Sequence, residues 1–304
     1  MLTLKVNLNS QNNNSNITFL QRVKDVVSLS KLIISASVTF TTLSGYVITK
    51  NTIDSSIVPL LIGVFLLAAG ASAINHIIEH KTDALMSRTK NRPIPSGRMS
   101  ILQAEIWTLI FLLFGTIILL IYTNSSCVLL GLINVLWYNL VYTPLKKISI
   151  WALFAGTITG IIPFFMGTVA ATNQAPDAPL YFIGLYMFLW QIPHFLLLIC
   201  KYGLEYEQAG LASVTQKTTV DKILLISYTW MIASCIVSLF LPLFGITHHL
   251  TSGIIILVIS TLVFMFIIYQ LVSKNRKQDY RTPFIVTNLM QSGFMFTLVL
   301  DSLF

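Results

Sequence analysis

The chain has 304 residues, 55% of them hydrophobic and only 10% charged, with a formal net charge of +8. Soluble domains carry roughly 25% charged residues, so this composition excludes an ordinary soluble protein and places the chain in the membrane. Basic excess in such a chain reflects loops that set its orientation, and no soluble region is left to bind nucleic acid.

Residues 1–17 are rich in Asn and Ser and lack a basic-then-apolar pattern, which reads as a polar tail rather than a signal peptide. Residues 19–31 alternate apolar and charged side chains, the pattern of a short interfacial helix. The organisation expected is therefore a tail with an interfacial helix over 1–31 and a membrane domain over 32–304. A bilayer core takes about 20 apolar helical residues to cross. Nine runs meet that length or approach it: 32–48, 57–78, 102–122, 127–142, 150–171, 180–200, 223–244, 252–272 and 284–303. The fourth is short, and Pro163 is expected to kink the fifth. The fold class predicted is an all-α integral membrane protein, nine helices in a single bundle around a lipid-accessible cavity. Cys127, Cys200 and Cys235 show no CxxC pairing and lie in or beside these runs, so they read as packing residues.

Loop charges orient the bundle. Lys5, Arg22, Lys24 and Lys31 precede the first run; Lys81, Arg88, Lys90, Arg92 and Arg98 follow the second. Lys146 and Lys147 follow the fourth, Lys201, Lys217 and Lys222 the sixth, and Lys274, Arg276, Lys277 and Arg281 the eighth. Only Lys50 falls on the other side. The positive-inside rule makes the basic side cytoplasmic, with the N-terminus inside and the C-terminus outside. Two long cytoplasmic loops, after the second and sixth runs, also hold Glu79, Asp83, Glu205 and Glu207, and there the chemistry is expected.

Asn75, Glu79 and Asp83 are spaced by four, which on a helix makes one polar stripe. Oxygen-bearing side chains on such a stripe suit a hard divalent cation, above all Mg²⁺, shared with a phosphate ligand. Arg88 and Arg92 follow closely and suit bidentate hydrogen bonds to phosphate oxygens. The bland alternative, solvated charges at a helix end, is weak because Asn75 follows a deep apolar run where polar groups are costly. A second constellation, Gln191, His194, Lys201 and Glu205, again shares one helical face. Glu205 can serve a second cation or complete the first site, and Lys201 can meet a diphosphate. Glu207 points elsewhere and reads as solvated. His194 is either a packed, hydrogen-bonded residue or a ligand-facing one, since Pro193 frees backbone groups beside it. Tyr142 and Lys146, four apart, can meet one phosphate, although Lys146 and Lys147 read equally well as orientation anchors.

Acidic motifs with cations around them, above an apolar bundle, suit an isoprenyl diphosphate. The sequence resembles the UbiA-type membrane prenyltransferases, and within them the heme-farnesylating branch, over nearly its whole length. The first aspartate-rich motif of that branch is matched by Asn75, Glu79 and Asp83. The stretches Met86–Pro93, Tyr142–Lys146, Trp190–Phe195 and Tyr206–Gly210 match as well. Glu79 and Glu205 stand where many relatives have Asp, the second acidic motif is reduced to Glu205, and Phe164 replaces the second residue of a Pro-Pro pair. The resemblance implies farnesyl diphosphate and heme B as substrates, a bacterial cytoplasmic membrane, and hand-over of product to a heme-modifying enzyme or oxidase assembly. It implies Mg²⁺ on Glu79, Asp83 and Glu205, and diphosphate on Arg88, Arg92, Tyr142, Lys146 and Lys201. Gln191 and His194 would face heme. Prenylation of an aromatic quinone precursor is the alternative enzyme reading. A transporter fits less well, because the charges stop at one membrane face.

Overall fold

The computed structural model describes residues 18–273 and 279–304. The tail at 1–17 with Lys5, and the basic residues Lys274, Arg276 and Lys277, lie outside the described residues. Among the described residues every regular element is helical, and nine helices are long and apolar enough to cross a membrane.

The amphipathic segment forms α1, Phe19–Leu29. Phe19, Leu20, Val23 and Val27 project outward, while Asp25 is buried and accepts from Arg98 Nε at 3.0 Å. The first three spans are α2, Leu32–Lys50, α3, Ile57–Asp83, and α4, Ile101–Tyr122. The fourth corrects the sequence reading. Instead of ending at 142, α5, Ser125–Leu136, continues through a π-helical turn, Trp137–Tyr142, into α6, Thr143–Ile148. Pro144 cannot donate a backbone hydrogen bond; the wide turn just before it spreads the register, and Thr143 Oγ1 donates to Tyr138 O at 2.8 Å. Lys146 therefore sits on the span rather than in a loop.

The remaining spans are α7, Ala152–Thr172, α8, Ala178–Gln208, α9, Val220–Phe240, α10, Leu250–Val272, and α11, Arg281–Asp301. Helix α7 runs unbroken through Pro163. Helices α3 and α8 both outrun their apolar stretches, so Glu79, Asp83, Lys201 and Glu205 all lie on helices. The sixth-span loop shrinks accordingly to 209–219.

Neighbours pack around a closed bundle, with α2 against α3, α7 and α11, and α8 against α7, α9 and α11. Between lipid-facing helices association depends on close packing rather than on water exclusion. Gly45 and Gly167 allow it: a Cβ at either would stand 2.1 Å from a carbonyl oxygen of the facing helix. Buried Tyr46, Phe164, Tyr186 and Phe294 fill the interior. Leu and Ile side chains on α4 and α10 remain exposed, as helices facing hydrocarbon require.

Candidate functional site

The site forms where α3 ends at the basic face. Asn75, Glu79 and Asp83 are all buried, on the inward face that their four-residue spacing predicts. A carboxylate out of water needs a counter-charge, and each has one. Lys146 Nζ, carried inward on α6, lies 3.1 Å from Glu79 Oε1 and 3.4 Å from Oε2. Arg92 Nη1 donates to Asp83 Oδ2 at 2.6 Å. Arg92 is positioned by the loop 84–100, which folds back on α3: Thr89 Oγ1 donates to Asp83 O at 2.8 Å, and Met86, Thr89, Ile94 and Met99 are buried.

Lys31 was not picked out from sequence as a site residue. It sits between α1 and α2 in the left-handed backbone region, φ 46°, which turns its side chain inward. Its Nζ donates to Asn75 Oδ1 at 2.5 Å and lies 3.4 Å from Tyr138 Oη. Asn75 Nδ2 then donates to Thr143 Oγ1 at 3.2 Å, which fixes the amide orientation. Burial, with Arg92 beside it, pushes the Lys31 ammonium down to about 7. In sequence Lys31 looks like any orientation anchor; only its contacts with α3 and the π-helical turn reveal it.

The other predicted residues make contacts of their own. Tyr142 stacks on Tyr138 with centroids 5.5 Å apart and meets Phe195 of α8 at 6.5 Å. Lys146 Nζ also lies 5.6 Å from the Tyr206 ring centre. Arg88 lies over Tyr202 at 5.0 Å, and Lys201 Nζ lies over the same ring at 4.7 Å. Lys201 forms no ion pair with the acidic cluster. Glu205 Oε1 accepts from Ser87 Oγ at 2.5 Å, so it reaches the loop rather than the stripe. Glu207, expected to be solvated, accepts from Thr215 Oγ1 at 2.5 Å. Gln191 faces α7, where its amide fills the space a Cβ on Gly160 would need. His194 Nδ1 meets Asn288 Oδ1 of α11 at 2.9 Å.

Among the described residues no three His, Cys, Asp or Glu side chains stand together as a protein-only metal cage, so Glu79, Asp83 and Glu205 do not form one cluster. Mg²⁺ does not require that. It is usually held by one or two carboxylates together with water and substrate phosphates. The donor set fits such a shared ion: Asp83 Oδ1 and Glu205 Oε2 are buried oxygens with no hydrogen-bond partner among the described residues.

The model of the UbiA prenyltransferase family matches residues 38–294. A protoheme IX farnesyltransferase of Cytophaga hutchinsonii is 35% identical over 79% of this chain and 85% of its own length. One from Flavobacterium johnsoniae is 32% identical over 92% and 93%. Among solved structures, a digeranylgeranylglyceryl phosphate synthase superposes with a TM-score of 0.75 at 18% identity, over 93% of this chain and 99% of that one. A UbiA homolog from Archaeoglobus fulgidus bound to GPP and Mg²⁺ gives 0.66 at 16% identity, over 90% and 99%. At such identities these two structures speak for the fold alone.

Proposed function

This chain belongs to the UbiA prenyltransferase family, and on that premise we propose that it transfers a farnesyl group from farnesyl diphosphate to a vinyl group of heme B. Water adds in the same reaction, giving heme O and diphosphate. The observation that carries the reading is the buried Asn75–Glu79–Asp83 stripe with Lys146 and Arg92 on its carboxylates. Relatives at 32–35% identity that are protoheme IX farnesyltransferases supply the acceptor.

The chemistry begins with the allylic C–O bond, which breaks as diphosphate leaves with the electron pair. Arg88, Arg92 and Lys146 hold the departing oxygens, with Tyr142 donating beside them. Glu79 and Asp83, with Glu205 from the facing helix, would hold Mg²⁺, which would supply further charge stabilisation to the leaving group. Asn75 and Lys31 orient the end of the stripe. The apolar bundle keeps bulk water from the farnesyl cation. The heme vinyl π electrons form the new C–C bond, water captures the resulting cation, and its proton is released. His194 and Gln191 face the acceptor.

The basic ends of the helices lie on the cytoplasmic side of a bacterial cytoplasmic membrane, N-terminus inside and C-terminus outside. Heme O leaves within the lipid phase to a heme-modifying enzyme or an oxidase under assembly. Expression in a heterologous membrane supplied with heme B and farnesyl diphosphate, followed by mass identification of extracted hemes, tests the activity. Heme O is the expected product; a prenylated aromatic acid with no modified heme would overturn the assignment.

A further inference from the structure

Where α8 leaves the bundle and α9 enters it, at the basic face, the two helices border an open cavity of about 550 Å³. Lys201 of α8, Lys217 of the connecting loop and Lys222 of α9 all line it, whereas Asn75, Glu79 and Asp83 do not. None of the three lysines is ion-paired among the described residues. Asp221 stands in the first turn of α9 but does not line the cavity. Glu207, the other acid close to the loop, accepts from Thr215 Oγ1. The lining therefore carries three positive charges and no carboxylate.

The loop that carries Lys217 is held firmly. Ser213 is buried and forms a capping box with Gln216 around the short 3₁₀ turn Val214–Gln216. Gly203 lets that turn press against α8: a Cβ there would stand 2.6 Å from Thr215 Oγ1 and 3.2 Å from Ser213 Oγ. Lys217 follows the turn directly, so the packing of the turn sets its place beside α8. Thr218 and Thr219 add hydroxyls to the lining, and Thr219, at the head of α9, makes no side-chain cap bond. The first amides of a helix left in that state suit an anion. Toward the bilayer the character changes. Leu204 and Val220 also line the cavity, and Leu204 is 72% exposed. Leu225 and Ile226, further along α9, are exposed as lipid-facing residues are.

Membrane orientation explains an excess of lysine at this face. It does not explain why three of them converge on one cavity that has an apolar outer wall. A soluble phosphate would meet the charges and leave that wall unused; a phospholipid meets both. We propose that the cavity seats the headgroup of an anionic phospholipid from the leaflet at the basic face. Lys201, Lys217 and Lys222 take the phosphate, and the upper acyl chains run along Leu204 and Val220. Basic pockets between membrane helices recognise anionic headgroups in this way. Lys201, which forms no ion pair with the acidic cluster, thereby finds its partner outside the diphosphate site. The lipid site does not depend on which acceptor is prenylated.

Native mass spectrometry of the purified protein, delipidated and then titrated with phosphatidylglycerol, reads the binding. Each lysine beside an anionic lipid contributes about fivefold, so Lys217→Gln combined with Lys222→Gln should weaken phosphatidylglycerol binding by roughly 25-fold. Lys217→Arg combined with Lys222→Arg keeps the charge and should keep the lipid. Phosphatidylcholine should bind the unaltered protein far more weakly than phosphatidylglycerol, and inorganic phosphate in molar excess should leave phosphatidylglycerol in place. Both substituted lysines are exposed and stand outside the acidic stripe, so pyrophosphate binding should persist in both double variants as the check on folding. Phosphatidylglycerol binding that is unchanged in the double Gln variant, or matched by phosphatidylcholine, would overturn the proposal. Displacement by inorganic phosphate would overturn it as well, since the cavity would then serve a soluble anion rather than a lipid.

Discussion

Removing the Lys146 ammonium isolates what the acidic stripe costs when unpaired. Glu79 is buried and its counter-ion lies 3.1 Å away, with the lysine side chain 22% exposed. With an effective dielectric constant near 20, that separation corresponds to about 5 kcal/mol of attraction. Breaking one side of a buried pair usually costs about 3–5 kcal/mol, because the remaining charge is stranded. Lys146→Met should therefore destabilise the protein by about 3–5 kcal/mol in detergent, measured by denaturant unfolding with a chelator present to keep divalent cations out. Glu79→Gln combined with Lys146→Met leaves no stranded charge, so the double variant should be more stable than Lys146→Met alone. The coupling should be about 1–3 kcal/mol, the upper part of the range for contacting residues. Mg²⁺ added back to Lys146→Met should recover part of the loss, since a cation can again face the carboxylates. A Lys146→Met protein within about 0.5 kcal/mol of the unaltered one, or single-variant effects that simply add, would refute the reasoning.

Asp83→Asn and Glu79→Gln keep side-chain shape but lose metal-binding charge, and each should lower heme O formation by more than tenfold while the protein still accumulates in the membrane; near-normal turnover at limiting Mg²⁺ would count against the metal site. Reporter fusions at Met99 and Lys217 should report the same side and a fusion at Phe304 the opposite one; Met99 and Lys217 on different sides would break the nine-span topology. Burial, and Arg92 after it, disfavour the Lys31 charge and push its ammonium down to about 7. A bound diphosphate favours that charge, so between about pH 7 and the ordinary lysine range the complex holds more protons than the protein alone, and binding should weaken as pH rises through that window. Lys31→Met should bind pyrophosphate more weakly at pH 7 and with a flatter pH dependence, measured by calorimetry in two buffers; an unchanged slope would remove Lys31 from the site.

The membrane spans were legible because nothing but hydrocarbon tolerates such apolar runs, and the Asn75–Glu79–Asp83 stripe because polar groups four apart on a buried helix have few other uses. The ends were harder. Helix α8 runs eight residues beyond Cys200, to Gln208, since a helix leaving the bilayer loses its apolar signature while its backbone hydrogen bonding continues. The fourth span was cut short at Tyr142 because the apolar run ends there, and the π-helical turn that carries the helix onward has no composition signal. Lys31 and Asn288 escaped for a different reason. Each makes its contacts with other helices, Lys31 with Asn75 and Tyr138 and Asn288 with His194. Nothing in the spacing along the chain encodes those pairings.

The pairing of the site with itself explains how a strongly charged cluster persists at the end of an apolar bundle. Lys146 neutralises Glu79, Arg92 neutralises Asp83, and Lys31 binds Asn75. Each buried carboxylate of the stripe is paired within the protein, which offsets a desolvation cost of several kcal/mol per ion. A magnesium diphosphate carries both signs, so it can exchange partners with this set: the cations turn to phosphate oxygens and the carboxylates to the metal. Neither carboxylate of the stripe is left unpaired at either end of that exchange, which keeps the reorganisation small. Either component alone would leave half of the set unmatched. Mg²⁺ without diphosphate would compete with Lys146 and Arg92, and diphosphate without Mg²⁺ would draw those cations away from buried carboxylates. The internal ion pairs thus favour binding of the two together, and affinity for pyrophosphate should rise with Mg²⁺ by a factor that shrinks when Glu79 is replaced by Gln.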